Sequence, residues 1–540
     1  MEKFQINLLK NKNKFIVAID QGTTSSRAIL FNTKGKPLFK SQLEFNQYYP
    51  KNGWVEHNPE EIWNKTKRVL AKVIEKSRKI KGEILTIGIT NQRETTILWD
   101  RISGRPVYNA IVWQDRRTED FCKKFRSNKK ERLINKKTGL LIDPYFSGTK
   151  IKWIIENIPK AKTLLKKRQL LFGTIDTFLL WRLTRGQIHA TDATNASRTM
   201  LYNINTNKWD KQILKSLNIP SHILPVIKNS SDNFGLTHKS ITGKSYPITG
   251  VIGDQQAASI GQCCFEKGSV KSTYGTGAFV LMNTGKKKIY SKHRLLTTVC
   301  YRLNNKSTYA LEGSIFIAGA GVQWLRDKMK FIKSANETEK IVKSLKTNNN
   351  VYLVPAFVGL GAPYWNSNVR GVISGITRDT GPKEIVRAII ESTVYQTNDL
   401  FDAMKNDGQK PKIIKIDGGM VNNNYFIKSN VKIKENESLV ITETEKLLCS
   451  IFKKVLNLNY IEVKTSFYSL GINSLSVSDI ISQIYECFSV ELMPQDLFDY
   501  GTIVLLSKEI DARQMKVLSS IDNECVSHLL SSLTQEKQLV

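Results

Sequence analysis

Two aspartates stand where apolar, strand-like runs of the chain end. Asp20 follows the run Phe15–Ile19 and opens into Gly22-Thr23-Thr24, and Asp254 follows Val251–Gly253. Turns rich in Gly and Thr offer N–H groups and hydroxyls to phosphate oxygens, and a carboxylate beside one could hold Mg²⁺ through water. A second carboxylate could accept the proton of an attacking hydroxyl. Together the two sites could serve the transfer of a phosphoryl group.

Each aspartate also has a plainer interpretation. Asp20 could cap its own turn and Asp254 the helix that follows it, and these are the commoner roles for a single aspartate. The pattern gains weight because it recurs, and ligands of open α/β sheets bind beyond the carboxyl ends of strands. Further runs of this kind are Ile84–Ile89, Val270–Tyr274 and Lys412–Ile416, which lead into Thr90–Glu94, Gly275–Gly277 and Asp417–Gly419.

A second group of side chains has the types that bind a polyol. Arg93 and Glu94 are adjacent, follow a strand-like run and could hydrogen-bond hydroxyls. Trp113, Tyr145 and Phe279 could cover the carbon edge of such a ligand. A surface ion pair together with ordinary core aromatics is the alternative, and residue types alone leave both open.

The elements that must hold these residues alternate between strands and helices. Helical stretches over Pro59–Arg78 and Lys383–Met404 lie between the strand-like runs, which predicts an α/β fold. The chain has 540 residues, 41% of them hydrophobic. That is long enough for two or three domains.

The charge of the chain is large and uneven. The net charge is +33, but the lysines are spread out and no basic motif interleaved with aromatics occurs, so we expect no nucleic-acid partner. Residues 431–540 carry 10 Lys and Arg against 15 Asp and Glu, whereas the first 430 residues carry 71 against 33. The change from a basic to an acidic segment predicts a domain boundary near residue 430.

Other features of the sequence bear on location. We find no apolar run of about 18 residues, and therefore expect no membrane span. The polar stretch Met1–Lys14 lacks the apolar core of a secretory signal, which predicts a cytoplasmic protein. The seven cysteines form no C-x-x-C pair, which predicts reduced thiols rather than a zinc site or a disulfide framework.

A long series of ordered motifs covers most of the chain. They are Asp20–Arg27, Gly53–His57, Thr90–Thr96, Ile111–Gln114, Asp143–Lys150, Thr194–Met200, Gly253–Ala258, Tyr274–Gly277, Gln323–Asp327 and Asp417–Gly419. In these motifs residues 15 to about 430 resemble glycerol kinases of the FGGY carbohydrate kinase family. The resemblance implies two actin-like (ribonuclease H-like) α/β kinase domains, residues 14–262 on the glycerol side and 263–430 on the ATP side, separated by a cleft. It stops near Asn430, so it implies that the second domain is incomplete.

The resemblance also implies roles for single residues, in a reaction that converts glycerol and ATP into sn-glycerol 3-phosphate and ADP. Asp254 would be the catalytic base, Asp20 would hold Mg²⁺, and the enzyme would be a homo-oligomer. The glycerol-binding set would be Arg93, Glu94, Tyr145, Asp254 and Gln255, with Trp113 and Phe279 on the apolar side. Phosphates would meet Thr23, Thr24, Ser25, Arg27 and Thr276, and the nucleotide would contact Gly319, Gln323, Gly419 and Asn423.

Residues 440–513 resemble a different family, the acyl or peptidyl carrier domains. The stretch Ser466–Leu475 is similar to the carrier signature, in which Ser474 would accept 4′-phosphopantetheine at the start of a helix. Asn473 departs from the Asp or His that usually precedes that serine. A phosphopantetheinyl transferase and an acyl- or aminoacyl-loading enzyme would then be partners, and residues 514–540 would form a polar tail. A generic acidic helical bundle, with Ser474 as an N-cap, is the alternative.

Two functional hypotheses follow from this arrangement. The first is an active glycerol kinase with an appended carrier domain, because all the catalytic candidates precede residue 430. The second is a catalytically impaired, kinase-like scaffold fused to a carrier that acts as an acyl or aminoacyl shuttle, because an incomplete ATP domain should lose rigidity around the adenine.

Overall fold

The computed structural model describes residues 14–429, 443–458, 461, 463, 465, 467–470 and 474–519. The chain forms two compact units, Met1–Asn430 and Val431–Val540. We call residues 14–262 the first lobe and 263–429 the second lobe of the larger unit. Within the described residues no helix is both long and apolar enough to cross a bilayer.

The strands belong to the larger unit. They are β1 (Lys14–Gln21), β2 (Ser25–Asn32), β3 (Pro37–Glu44), β4 (Glu56–His57), β5 (Glu83–Asn91), β6 (Ile97–Asp100), β7 (Ala110–Ile111), β8 (Leu170–Gly173), β9 (Ala190–Asp192), β10 (Tyr202–Asn203), β11 (Lys208–Trp209), β12 (Val226–Lys228), β13 (Ile248–Gly253), β14 (Ser269–Tyr274), β15 (Ala278–Gly285), β16 (Leu296–Leu303), β17 (Lys306–Ile315), β18 (Tyr352–Val354), β19 (Val372–Ser374) and β20 (Ile413–Asp417).

The helices are divided between the two units. The larger unit has α1 (Pro59–Lys79), α2 (Glu119–Phe125), α3 (Asn128–Thr138), α4 (Ser147–Asn157), α5 (Pro159–Lys166), α6 (Ile175–Leu183), α7 (Ala193–Ala196), α8 (Lys211–Leu217), α9 (Lys239–Thr242), α10 (Asp254–Gly261), α11 (Gly319–Asp327), α12 (Glu337–Ser344) and α13 (Pro382–Asn406), and residues 424–429 are also helical. The smaller unit has α14 (Glu443–Leu456), α15 (Ser474–Phe488), α16 (Pro494–Tyr500) and α17 (Ile503–Ser519).

The sheet of the first lobe has the strand order β13-β5-β1-β2-β3. Strand β1 pairs antiparallel with β2 and parallel with β5, and β13 lies parallel on the far side of β5. In this register Asp20 pairs with Thr90, and Thr90 pairs with Ile252. The carboxyl ends of three parallel strands therefore meet at one edge, which brings Asp20 and the residue after β13, Asp254, to the same side of the lobe.

The second lobe repeats this arrangement. Its sheet has the order β16-β17-β15-β14-β20, with β14 antiparallel to β15 and parallel to β20. Asp417 ends β20 and pairs with Thr273 of β14. The repeated hairpin and parallel partner confirm the prediction of two actin-like α/β lobes.

The start of helix α1 is determined by local sequence features, which is why the sequence predicts this helix well. Asn58 accepts hydrogen bonds from the backbone N–H groups of Glu60 (2.9 Å) and Glu61 (3.4 Å), and Pro59 occupies the first helical position. A side-chain cap satisfies donors that have no partner inside the helix. The helix then buries one face, which includes Ile62, Val69 and Val73, within the core of the first lobe.

The smaller unit is an all-α bundle around its own core. Buried side chains from all four helices meet there, among them Leu448, Ile480, Leu497 and Leu506. This confirms the prediction of a small helical carrier-like bundle. The expected boundary at residue 513 falls inside α17, because Arg513 bonds Glu509 one turn earlier (2.8 Å) and Asp496 of α16 (3.0 Å), which supports a longer helix.

Candidate active site

Two hairpin loops occupy equivalent places in the two lobes. In the β1–β2 loop the N–H of Gly22 donates to the carbonyl of Ser25 (3.0 Å). In the β14–β15 loop the N–H of Gly275 donates to the carbonyl of Gly277 (2.9 Å). Both loops contain threonines at a lobe surface, and tight turns of this composition suit phosphate oxygens.

The β14–β15 loop is fixed to the start of α11. The carbonyl of Gly275 accepts from the N–H of Gly319 (2.9 Å), and that of Thr276 accepts from the N–H of Ala320 (3.0 Å). A Cβ on Gly319 would lie 2.6 Å from the Gly275 oxygen, so this close approach requires glycine.

A cavity of about 510 Å³ opens beside this loop in the second lobe. Its walls come from the β14–β15 loop, α11, residues 335–339, α13 and the turn after β20. Five residues expected to touch the nucleotide line it, namely Thr276, Gly319, Gln323, Gly419 and Asn423. All the lining residues precede residue 424, so this cavity forms without any part of the smaller unit.

The phosphate-loop candidates of the first lobe lie outside that cavity. Thr23 Oγ1 accepts from Trp113 Nε1 (3.1 Å), Ser25 Oγ accepts from Gln42 Nε2 (3.1 Å), and Thr24 is exposed at the tip. The Arg27 guanidinium lies 3.7 Å from the carboxylate of Asp20. Burial raises the pKa of Asp20, and the positive charge of Arg27 opposes that rise.

Asp254 does not cap its helix. It is the first residue of α10, and Gly253 is the N-cap residue. Among the described residues, the one backbone N–H that donates to the Asp254 carboxylate is that of the adjacent Gln255 (2.7 Å). The Asp254 side chain is 32% exposed. Burial raises its pKa, and the charges of Arg93 and Lys271 pull it back down.

Arg93 and Glu94 are buried rather than paired at the surface. Both terminal nitrogens of Arg93 donate hydrogen bonds to the Glu312 carboxylate, at 2.6 and 2.9 Å. Glu94 accepts from Arg198 Nε at 2.6 Å, and Arg198 also reaches Glu312 at 3.0 Å. All four side chains are at most 2% exposed, so the surface-pair interpretation is wrong.

Three aromatic rings gather beside this charged cluster. The ring centroids of Trp113 lie 5.8 Å from Tyr145 and 5.6 Å from Phe279, both in edge-to-face geometry. Trp113 and Tyr145 belong to the first lobe and Phe279 to the second. A small wall of this kind covers apolar edges of a ligand while the charged cluster offers hydrogen bonds.

Gln255 is held by a residue that residue types alone did not indicate. Lys271 of β14 is fully buried, and its Nζ donates a hydrogen bond to Gln255 Oε1. The lysine takes one acceptor position of the amide oxygen, and the NH₂ group of Gln255 can still donate to a ligand. Burial lowers the pKa of Lys271 to about 8.

Three functional side chains were missed in the sequence, Glu312, Arg198 and Lys271. A signal for two of them exists, because Glu312 and Lys271 are charged residues inside otherwise apolar or small strands, Ala310–Ile315 and Val270–Tyr274. Charged side chains are rarely fully buried unless they are paired.

The described residues contain no group of three or more His, Cys, Asp or Glu side chains placed to hold a metal ion. Mg²⁺ keeps several waters and often binds one or two carboxylates plus phosphates. Asp20 stays the carboxylate predicted to hold such an ion, which would neutralise charge on the transferred phosphate.

Comparisons with known proteins agree with this geometry. The model of the N-terminal domain of the FGGY family of carbohydrate kinases matches residues 15–261, and the model of the C-terminal domain matches residues 270–430. The chain belongs to the FGGY family of carbohydrate kinases. Both kinase domains are therefore present in it.

Curated relatives of this FGGY kinase are named glycerol kinases. One from Petrotoga mobilis is 53% identical over 437 residues, which is 80% of this chain and 88% of the relative. One from Ectopseudomonas mendocina is 54% identical over 416 residues, 77% of this chain and 84% of the relative. A crystal structure of Plasmodium falciparum glycerol kinase with ADP superposes with a TM-score of 0.72 at 35% identity, covering 94% of this chain and 98% of that one.

The smaller unit matches a separate family model, the phosphopantetheine attachment site, over residues 446–510. This confirms the prediction that a carrier domain follows the FGGY kinase. Ser474 is the first residue of α15.

Proposed function

We propose that the FGGY kinase unit phosphorylates glycerol with ATP to give sn-glycerol 3-phosphate. The observation that carries this proposal is the group formed by Arg93, Glu94 and Asp254 beside the aromatic wall. A three-carbon polyol needs hydrogen-bonding groups along one edge and apolar cover along the other. The glycerol kinase names of the relatives support the same substrate.

Asp254 is the general base of the proposed reaction. Its carboxylate accepts the proton of the attacking hydroxyl as the oxygen forms its bond to the γ-phosphorus, and ADP leaves. Arg93, Tyr145 and the NH₂ group of Gln255 orient the polyol. Threonines of the two hairpin loops, Thr23 and Thr276 among them, hold the phosphates. Positioning of this kind provides most of the catalysis in phosphoryl transfer.

The nucleotide cavity favours an active kinase over an impaired scaffold. Its lining residues all precede residue 424, and Gly319 and Thr276 are fixed by backbone hydrogen bonds within the second lobe. Walls that are linked in this way support the proposal that the cavity keeps its shape without later sequence.

The test is ATP-dependent phosphorylation of glycerol by the purified chain, compared with Asp254→Asn. We expect turnover by the wild type and a loss of at least about a hundredfold in the variant. Asp210→Asn is the matched control, because Asp210 is a buried carboxylate paired with Lys137 (2.9 Å) in another part of the first lobe. Turnover retained in Asp254→Asn would remove the base assignment, and none in the folded wild type would favour the impaired scaffold.

The carrier unit supports a second candidate function. The phosphopantetheine attachment model spans its helices, and Ser474 starts α15 as the attachment residue would. We propose that Ser474 accepts 4′-phosphopantetheine from a phosphopantetheinyl transferase and that the thiol then carries an acyl or aminoacyl group. This function is independent of kinase turnover.

A further inference from the structure

Glu312 links the two lobes at the centre of the candidate site. It lies on β17 of the second lobe, and both of its oxygens accept from Arg93 of the first lobe, at 2.6 and 2.9 Å. One of those oxygens also accepts from Arg198 at 3.0 Å. The Glu312 side chain is fully buried, and the side chains of both arginines are at most 1% exposed.

This arrangement fixes the orientation of Arg93. A bidentate pair between a guanidinium and a carboxylate is planar and restricts rotation of both groups. The Nη1 atom of Arg93 also donates to Gln256 Oε1 at 3.3 Å. Among the described residues, Arg93 Nε is buried and has no hydrogen-bond partner.

The remaining donor faces the catalytic carboxylate. Arg93 Nε lies 3.3 Å from Asp254 Oδ1. A buried N–H without a good hydrogen bond is uncommon in folded proteins and calls for an explanation. A ligand hydroxyl beside this pair, within hydrogen-bond reach of both Nε and Oδ1, would satisfy it, provided that the guanidinium is held with Nε towards the cleft.

We propose that Glu312 is a positioning residue, which holds Arg93 with its Nε–H directed at the polyol and so makes the glycerol site depend on the ATP-binding lobe. The inference rests on the proposed function, because it concerns how that same site binds its alcohol. Glu312 itself touches no substrate. Its effect passes through Arg93, and Arg198 is held by the same carboxylate and orients Glu94 in turn.

The experiment compares Glu312→Gln with Glu56→Gln in the full chain. Glu56 is a matched control because it is also buried and paired with a buried arginine, Arg117 (2.7 Å), and its other hydrogen-bond partners, Tyr108 and Asn109, are not site residues. For Glu312→Gln we expect kcat/KM for glycerol to fall about a hundredfold, because a misplacement of about 1 Å can cost that much. KM for ATP should stay within about twofold of the wild-type value. For Glu56→Gln we expect a lower Tm with unchanged KM for glycerol.

Several outcomes would overturn the proposal. Equal losses for glycerol and ATP, or a lower Tm with wild-type KM for glycerol, would mean that Glu312 is merely structural. If Glu312→Gln does not fold, Glu312→Asp decides, because it keeps the charge but withdraws the carboxylate by one methylene. We expect a partial loss confined to glycerol, and wild-type kinetics would contradict the proposal.

Failure of the proposed function would be recognised separately. If the wild type binds glycerol in calorimetry but does not turn it over, the phosphorylation proposal fails, and Glu312 is judged on binding alone. Weaker glycerol binding by Glu312→Gln would then support the positioning role, and equal binding would overturn it. A wild type that neither binds nor phosphorylates glycerol overturns both.

Discussion

Arg93 Nε and Asp254 Oδ1 lie 3.3 Å apart at the junction of the two lobes. Burial raises the pKa of Asp254, and the neighbouring guanidinium opposes this and favours the charged carboxylate. A carboxylate must be ionised to act as a base, but strong stabilisation of the ionised form lowers its proton affinity. Burial therefore places the pKa of Asp254 above its ordinary value, and the charge of Arg93 limits that rise.

The first prediction concerns pH. Because the pKa values of Asp254 and Asp20 are both raised from 3.8 by burial, kcat/KM for glycerol should fall as the pH drops through a value above that of an exposed aspartate. The measurement is kcat/KM from about pH 8 down to about pH 4, with the fold monitored by circular dichroism. A flat profile across a range where the chain stays folded would contradict it.

The second prediction concerns the stability of Asp254→Asn. A raised folded-state pKa means that the native state binds more protons than the unfolded state between 3.8 and that pKa, so the stability contributed by the group falls as the pH rises through this window. Replacing the acid by an amide removes the cost of burying a charge. We expect the variant to have a higher Tm than the wild type at pH 7 and a smaller difference near pH 4, measured by calorimetry. A lower Tm at pH 7 would show that the ion pair with Arg93 outweighs desolvation.

The third prediction uses two adjacent glycines, of which the second, Gly419, lines the nucleotide cavity. Gly418 has φ +99° and a Cβ there would lie 2.3 Å from the Tyr274 carbonyl, whereas a Cβ on Gly419 meets no atom within 4 Å. Gly418→Ala should therefore destabilise the second lobe by about 3 kcal/mol. Gly419→Ala should leave Tm unchanged and weaken ADP binding, because its Cβ enters the cavity. Equal Tm values for the two variants would refute this account.

The fourth prediction tests the polyol edge. Tyr145→Phe removes a hydroxyl expected to bond glycerol and should raise KM for glycerol about tenfold, with little change in Tm. Tyr202→Phe is the matched control, because its hydroxyl donates to Asn207 (2.8 Å) and its ring belongs to a different hydrophobic cluster. Steady-state kinetics with varied glycerol would measure both. An unchanged KM in Tyr145→Phe would place the hydroxyl outside the substrate contacts.

The fifth prediction concerns the carrier unit. Incubation with coenzyme A and a phosphopantetheinyl transferase of broad specificity should add one phosphopantetheine to the full chain, seen by intact mass. Ser474→Ala should abolish the addition, whereas Ser478→Ala, which changes an exposed serine one turn further along α15, should not. Modification that persists in Ser474→Ala would assign the attachment to another residue.

Local sequence predicted the elements of the fold closely. The helix expected at Pro59–Arg78 is observed at Pro59–Lys79, because its Asn58-Pro59 cap and its single apolar face are local features. The strands before Asp20, Asp254 and Asp417 also lie where the apolar runs predicted. Domain boundaries, the homo-oligomeric state and the cytoplasmic location stay predictions.

The charged cluster could not be predicted in the same way. Arg93 and Glu312 are 219 residues apart in sequence, and the pair forms only when two lobes meet. Residue types therefore left Arg93 and Glu94 open as a surface pair. The family resemblance supplied their roles but not the carboxylate that orients them.

The single carboxylate shared by Arg93 and Arg198 has a consequence for the history of the gene. Neither lobe can change its part of the cluster alone, because a lost charge on one side leaves an unpaired charge buried on the other. Residues 93, 198 and 312 should therefore covary among FGGY kinases. Chimeras that exchange one lobe between members of the family should keep a working glycerol site only where all three residues match.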